Sequence, residues 1–421
     1  MNLRERLTHK TVLISIANAS LRLFSLFFRF SLSIYLGKFL GLKDVGVFGL
    51  LLGITGSLPA IIGLGLNYFV NRETVGSEPL VAGRKIKDRL AVTISGLLLS
   101  TLLIIPILIN SNISDVSIIV PTVLVIIAEC VAFDVQMSLF SLKKPLLANF
   151  FLFIRSASWV LPFIVLSRFD LHFRNISCLI ISWLIADVAA FSMLFWRLSD
   201  WPWASIFASQ IDFSWLRKSI KSARLIYLGD IGLAGYAYFD RFIVLGFVGL
   251  QSEGIYVFWW SMASALQALV ASAVIQTSLP LLVEARKSPD RSKWRNLLRN
   301  TIGATLAYAI IGAVLIYVAS MIMLPFIKRP LLYDYIDVLI AMLIASVIKS
   351  VSDVINYGLY SCGDDNKLAY INIFGLVVSV TTISLALAIG GLHLVGYALF
   401  TSASISLFLR TFFLRRHFGA R

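Results

Sequence analysis

The chain alternates long apolar runs with short polar ones. Runs of about 20 mostly apolar residues cross a bilayer as helices. Twelve can be drawn: 11–37, 44–70, 89–109, 118–141, 145–167 and 175–196, then 225–249, 254–278, 300–324, 337–361, 368–390 and 392–413. They fall six and six around a polar stretch at 197–224, the longest between any two runs. The pattern predicts an all-α polytopic membrane protein whose twelve helices form two pseudo-two-fold-related six-helix bundles around a central cavity. The expected divisions are an N-terminal lobe over 1–196, a cytoplasmic amphipathic linker over 197–224 and a C-terminal lobe over 225–421. In the linker Phe213, Leu216 and Ile220 share one helical face and Arg217, Lys221 and Arg224 another, behind an aromatic start at Trp201 and Trp203.

Two short echoes support duplication. Gly41-Leu42-Lys43-Asp44-Val45-Gly46-Val47-Phe48 returns 208 residues later as Gly249-Leu250-Gln251-Ser252-Glu253-Gly254-Ile255-Tyr256, each between the first and second runs of its half. Leu139-Phe140-Ser141 before a polar turn and Ala148 returns as Leu359-Tyr360-Ser361 before a polar turn and Ala369.

Composition removes the soluble classes. Hydrophobic residues make up 58% of the chain and charged residues only 14%, against about 25% charged in soluble domains. The net charge of +15 sits in short loops between apolar runs, a pattern that sets orientation and not one that binds nucleic acid. Alternate loops and the tails carry 25 Lys and Arg, with Arg89 counted in the loop near 71–89, against six in the opposite set, so both termini are expected on the cytoplasmic side. Met1 to Lys10 reads as an uncleaved tail, because the first run is too long for a signal-peptide core. Cys130, Cys178 and Cys362 form no disulfide framework, and His9, His172, His393 and His417 have no metal-ligand spacing.

Ionisable groups inside a membrane are costly and face a protein interior or water. Six bases (Arg22, Arg29, Arg155, Arg241, Lys349, Arg410) and six acids (Glu129, Asp134, Asp187, Asp230, Asp240, Asp353) lie within the runs. On the first run Ser15, Asn18, Arg22, Ser25, Arg29 and Ser33 fall within an arc of about 80° at helical spacing. On the seventh, Tyr227, Asp230, Tyr238 and Arg241 lie near one face. On the tenth, Lys349 and Asp353 are spaced as an i,i+4 pair. Glu129 and Gln136 share a face of the fourth run, Asp134 points away from them, and Arg155 has no evident partner. Glycines crowd the second and seventh runs, which suits either close packing or bending.

Several stretches carry a family likeness: Tyr35-Leu36-Gly37 with Gly41 to Phe48, then Tyr238-Phe239-Asp240-Arg241, Leu245-Gly246 and Gly254-Ile255-Tyr256. Gly363 to Lys367, Asn372, Gly375 and Leu394-Val395-Gly396-Tyr397-Ala398 continue it near the end. In these the chain resembles the polysaccharide (O-antigen type, Wzx-like) flippase family of the multidrug/oligosaccharidyl-lipid/polysaccharide exporter superfamily. The resemblance implies a transporter, not an enzyme. Such a protein moves undecaprenyl-diphosphate-linked oligosaccharide, an O-antigen or similar lipopolysaccharide repeat unit, across the bacterial cytoplasmic (inner) membrane by alternating access. It also implies membrane lipids and polysaccharide polymerase machinery as partners.

The substrate contacts expected from the resemblance and the charged stripes are Arg22, Arg29, Arg241, Asn18, Tyr238 and Lys349. Glu129, Asp134, Asp230, Asp240 and Asp353 are the candidates for proton or sodium coupling; no cofactor or metal is expected. Two rival readings are a cation-coupled drug or metabolite exporter and a membrane enzyme of polysaccharide assembly. The second would need a sizeable outer loop, and the runs leave none.

Overall fold

The computed structural model describes residues 3–110, 115–271, 274, 276–287 and 290–419, and among them there is no strand. The helices in order are α1 (Leu3–Phe39), α2 (Leu42–Gly63), α3 (Leu66–Thr74), α4 (Pro79–Asn110), α5 (Val116–Ser141), α6 (Pro145–Phe153), α7 (Val160–Phe169), α8 (Ile176–Arg197), α9 (Trp203–Ala208) and α10 (Phe213–Val270). They continue as α11 (Gln276–Lys287), α12 (Arg291–Ile327), α13 (Pro330–Asp334), α14 (Ile336–Ser361), α15 (Asp365–Gly390) and α16 (Val395–Gly419). Side-chain caps start several of them: Asp115 on Ser117 N, Asn175 on Cys178 N and Asp290 on Ser292 N. Among the described residues nine helical stretches are long and apolar enough to cross a membrane, and two of these, Phe213–Val270 and Asn366–Arg416, each hold two of the runs read from the sequence. The protein is an all-α polytopic membrane protein.

The chain forms two compact units, one of Met1–Leu32 with Ile54–Tyr227 and one of Ser33–Gly53 with Leu228–Arg421. These are drawn differently from the sequence halves. The hairpin at 33–53 packs with the later residues, and the inter-half segment packs with the earlier ones.

In the first unit a core of Ala132, Leu139, Ala148, Phe151, Ala190, Leu194 and Leu198 joins α5, α6 and α8. The inter-half segment is tied to this unit by several contacts. Ile206 of α9 fills the space beside Gly83, and Lys87 donates to Ser209 Oγ at 2.6 Å. Lys85 lies 4.0 Å over the Trp215 ring, whose Nε1 donates to Glu73 at 2.9 Å. Hydrogen bonds from the Trp215 backbone N–H and from Ser214 hold the Asp212 carboxyl below the usual carboxylate range. Leu216, Ser219 and Ala223 form the buried stripe, whereas Phe213 is exposed. The amphipathic helix of the expected linker is the first part of α10, which runs on into the seventh span without a break before Gly249.

The second unit explains the first sequence echo. Gly41 (φ 133°) and Gly249 (φ 78°) adopt positive φ ahead of two helical segments, a conformation that glycine takes without steric cost. These segments cross reciprocally. A Cβ on Gly46 would clash with the Leu250 carbonyl oxygen, and one on Gly254 with that of Leu42. Leu42 and Leu250, like Gly46 and Gly254, are equivalent positions of the repeat, so the echo encodes a backbone-on-backbone contact. Farther along α2, Gly49 sits under Val257 and Gly53 under Arg241 and Phe242. Gly229, Gly232 and Gly235 pack in the same way against Ala369, Asn372 and Leu376 of α15. The glycines of both runs thus serve close packing. The second expected run breaks instead at Leu64 and Gly65, both left-handed, and resumes as α3.

The second echo is a repeated turn. Lys143 (φ 58°) and Gly363 (φ 77°) occupy equivalent left-handed positions. Lys143 N donates to Phe140 O as Gly363 N does to Tyr360 O, at 3.1 and 2.9 Å, and Lys144 N donates to Leu139 O as Asp364 N does to Leu359 O.

A methyl group at the crossing has no room. Gly254→Ala is expected to lower stability by about 2–3 kcal/mol, whereas Gly303→Ala, in open space on α12, should be neutral or slightly stabilising. Thermal unfolding of the detergent-purified variants checks the contrast.

Candidate functional site

Three polar clusters lie within apolar helices. The first, in the first unit, is centred on Arg89 of α4, which is 1% exposed. Its guanidinium donates to Asp134 (2.7 Å), Asn67 (3.1 Å) and Thr93 (2.6 Å). Asn67 also donates to Asp134 at 3.2 Å, and Thr93 donates to its other oxygen. The break at Gly65 is what lets α3 deliver Asn67, while Gly63 leaves space for the guanidinium. Arg89 had been counted with a cytoplasmic loop. It is a buried partner, and Asp134 is matched by it.

The second cluster, also in the first unit, is centred on Arg155, which stands on a π-helical turn at Ile154–Ser158 between α6 and α7. It donates to Glu129 and, at 2.8 Å, to Gln136, and Trp183 Nε1 donates to Glu129 at 2.8 Å. The shared face of Glu129 and Gln136 is thus a receptor for Arg155. Asp187 of α8 is fully buried within electrostatic range of Arg155, and among the described residues both its carboxylate oxygens lack a hydrogen-bond partner. Arg29, exposed on α1, is also within electrostatic range of Arg155.

The third cluster, in the second unit, holds most of the candidate residues. Asp240 receives the Arg241 backbone N–H at 2.9 Å, its Nη1 at 3.3 Å and the Tyr256 hydroxyl. Arg241 is 0% exposed; its guanidinium stacks 3.8 Å from the Trp260 ring centroid and 5.2 Å from that of Tyr238. Its Nε and Nη2 have no hydrogen-bond partner among the described residues. Glu253, on the second segment of α10, is likewise 0% exposed and has two unpartnered oxygens.

Lys349 and Asp353 do not form the expected pair. Asp353 accepts from Arg410 at 3.1 Å, whose guanidinium also reaches Ser352 (3.0 Å) and Asn372 (3.2 Å). Lys349 instead donates to the Gln267 carbonyl at 3.0 Å, and Gln267 donates to Ser346 at 3.1 Å. The reason is steric and electrostatic: α16 brings a planar guanidinium to Asp353, and its fork outcompetes a single ammonium along the same helix.

Between these groups is a cavity of about 50 Å³ lined by Tyr236, Asp240, Trp260, Gln267, Ser346 and Lys349 together with small apolar side chains. Asp230 is exposed on α10, and the side chains of Asn18 and Arg22 lie outside the described residues. Among the described residues no group of three or more His, Cys, Asp or Glu side chains could hold a metal ion.

Sequence reasoning passed over Arg89, Glu253, Trp260 and Gln267. Glu253 did leave a signal, because it replaces the apolar Val45 of the first repeat copy.

Comparison with known proteins places the fold. No protein-family model matches the chain, and no curated protein matches it in sequence. Among solved structures it is similar to an inward-facing multidrug resistance MATE family transporter of the MOP superfamily (TM-score 0.75, 11% identity, 96% of this chain and 98% of that one). It is also similar to the lipid II flippase MurJ in an inward closed conformation (TM-score 0.73, 15% identity, 96% and 87%) and to an outward-facing MATE transporter (0.62, 12%, 96% and 95%). At these identities the likeness is one of fold, over nearly the whole length of each chain.

Cutting one partner from a buried pair strands the other. Asp134→Ala is expected to cost about 3–5 kcal/mol, whereas the apolar double replacement Arg89→Met with Asp134→Leu should recover most of that loss. Unfolding temperatures of the two variants and the parent measure the difference.

Proposed function

We propose that the protein is a flippase that carries undecaprenyl-diphosphate-linked oligosaccharide, an O-antigen or similar lipopolysaccharide repeat unit, from the cytoplasmic to the periplasmic leaflet of the bacterial inner membrane by alternating access. Both termini lie on the cytoplasmic side in this reading. The observation that carries it is Arg241. Within a membrane-spanning bundle, a guanidinium is braced on an aromatic face and retains two buried nitrogens, Nε and Nη2, whose N–H groups nothing described accepts from. A diphosphate supplies the acceptors that such a fork matches, and a planar fork outperforms an ammonium at that task.

Arg241 is enclosed in this conformation, so it would meet a headgroup in another state of the cycle. Arg22 and Arg29 remain the candidate contacts on α1. The fold likeness to the lipid II flippase supports a lipid-linked substrate. A membrane potential negative inside would favour outward movement of a doubly charged headgroup by about 4–5 kcal/mol per 100 mV.

A second reading has its own support. The multidrug transporter of the comparison has a TM-score as high, and three of the bases within helices, Arg89, Arg155 and Arg410, are already neutralised by direct acid partners. An exporter of organic cations coupled to protons or sodium would use the remaining acids, Asp230 and Asp240 among them, more than Arg241.

Purified protein in vesicles that hold fluorescent undecaprenyl-diphosphate oligosaccharide separates the two. The flippase reading expects protein-dependent movement between leaflets, slowed about tenfold or more by Arg241→Ala, the loss of one or two charge-assisted hydrogen bonds, and less by Arg241→Lys. Absence of movement, together with efflux of a cationic dye by the same vesicles, would replace it with the exporter.

A further inference from the structure

The third cluster contains a remainder. The cluster and the charges that act on it hold three bases, Arg241, Lys349 and Arg410, and three acids, Asp240, Glu253 and Asp353, of which Lys349 and Asp240 line the cavity. Two direct pairs use four of them: Arg241 with Asp240 at 3.3 Å and Arg410 with Asp353 at 3.1 Å. Lys349 and Glu253 are left, and neither is in an ion pair with any described residue. Burying a lone charge costs several kcal/mol, so an unpaired group is where proton occupancy can change without breaking a contact.

The two remaining groups differ in access to water. Glu253 is sealed, with no exposed surface. Lys349 lines the cavity. At about 50 Å³ that cavity has room for about three waters, since one needs roughly 10–15 Å³ and two or more polar partners. Asp240, Gln267, Ser264, Ser346 and the Lys349 ammonium supply such partners. The ammonium has three N–H donors, and its described hydrogen-bond partner is the Gln267 side-chain carbonyl.

We propose that Lys349 is a proton-exchange site of the second unit. Its ammonium passes one proton to cavity water and takes it back, Lys–NH3+ + H2O giving Lys–NH2 + H3O+, while both arginine pairs stay in place. The charged and titratable groups that face it are Tyr236, Asp240 and Arg241 from the first segment of α10, Asp353 from α14 and Arg410 from α16. Burial and the two arginines oppose its charged form, and the two acids favour it. The site assigns Lys349 a role different from substrate contact, and it does not depend on what the protein carries.

The test is carbon-13 NMR of lysine Cε in detergent-purified full-length protein, with the signal assigned by its loss in Lys349→Met or, should that chain not fold, in Lys349→Arg. The expected result is one lysine signal, missing from the variant, that titrates at a pH where the solvent-facing lysines of the same protein keep their ammonium shift. Asp240→Asn should move its midpoint by about one unit to lower pH, because it removes a carboxylate that favours the ammonium. A Lys349 signal that keeps its ammonium shift across the whole range, or one that titrates without responding to Asp240→Asn, overturns the proposal. Neither readout uses a substrate, so this result and the flippase assay fail or succeed separately.

Discussion

The reciprocal contact of two glycines sets much of the second unit. Where Gly46 and Gly254 meet, each helix presents a main-chain carbonyl at the place a side chain would otherwise occupy. Nothing larger than hydrogen fits, so the crossing point is fixed along both helices at once. Gly49 and Gly53 extend the same smooth surface along α2, and α10 lies on it in two segments joined at Gly249. A Cβ at Gly53 would press on Arg241, 3.3 Å from its Cδ. The guanidinium lies over Trp260 on the following segment. The geometry of the most polar part of the interior thus follows from the absence of side chains a few residues away.

Charge inside the helices obeys a second constraint. Three of the four arginines buried among the described helices have an acid on a different element: Arg89 on α4 with Asp134 on α5, Arg155 with Glu129 on α5, Arg410 on α16 with Asp353 on α14. Such pairs add little net stability relative to well-packed apolar groups, but breaking one is expensive. Their value is in specifying register, since a helix displaced by one turn would leave two charges stranded. Arg241 is the exception: its acid is the adjacent residue, so that pair fixes no register between elements and its other donors stay uncommitted.

Much of the fold could be read in the chain because bilayer thickness imposes a length and an apolar composition on every span. The two echoes could be read because positive-φ turns and glycine contacts leave residue-level marks at Gly41 and Gly249 and at the second turn. The pairing of charges was less legible. Helical spacing correctly separated Asp134 from the face of Glu129 and Gln136, since that depends on one helix alone. It misjudged Lys349 and Asp353, because the competitor, Arg410, lies 57 residues away and only packing brings it near. Arg89 was mistaken for a loop cation for a related reason: α4 begins at Pro79, well before its apolar run, and carries the charge inside. The inter-half helix looked amphipathic in isolation, but its buried stripe is set by the first unit's surface and its continuation into α10.

The repeated turn at Lys143 and Gly363 has one backbone and two different residues. Both keep the left-handed backbone and the same closing hydrogen bonds. One copy took the residue for which that conformation is easiest. The other retains an exposed lysine there, against a preference of about 1 kcal/mol. A cation beside a membrane span is one of the signals that decide which way a nascent hairpin inserts. Ease of folding and direction of insertion pull apart at this position, and the two copies have resolved the conflict in opposite ways.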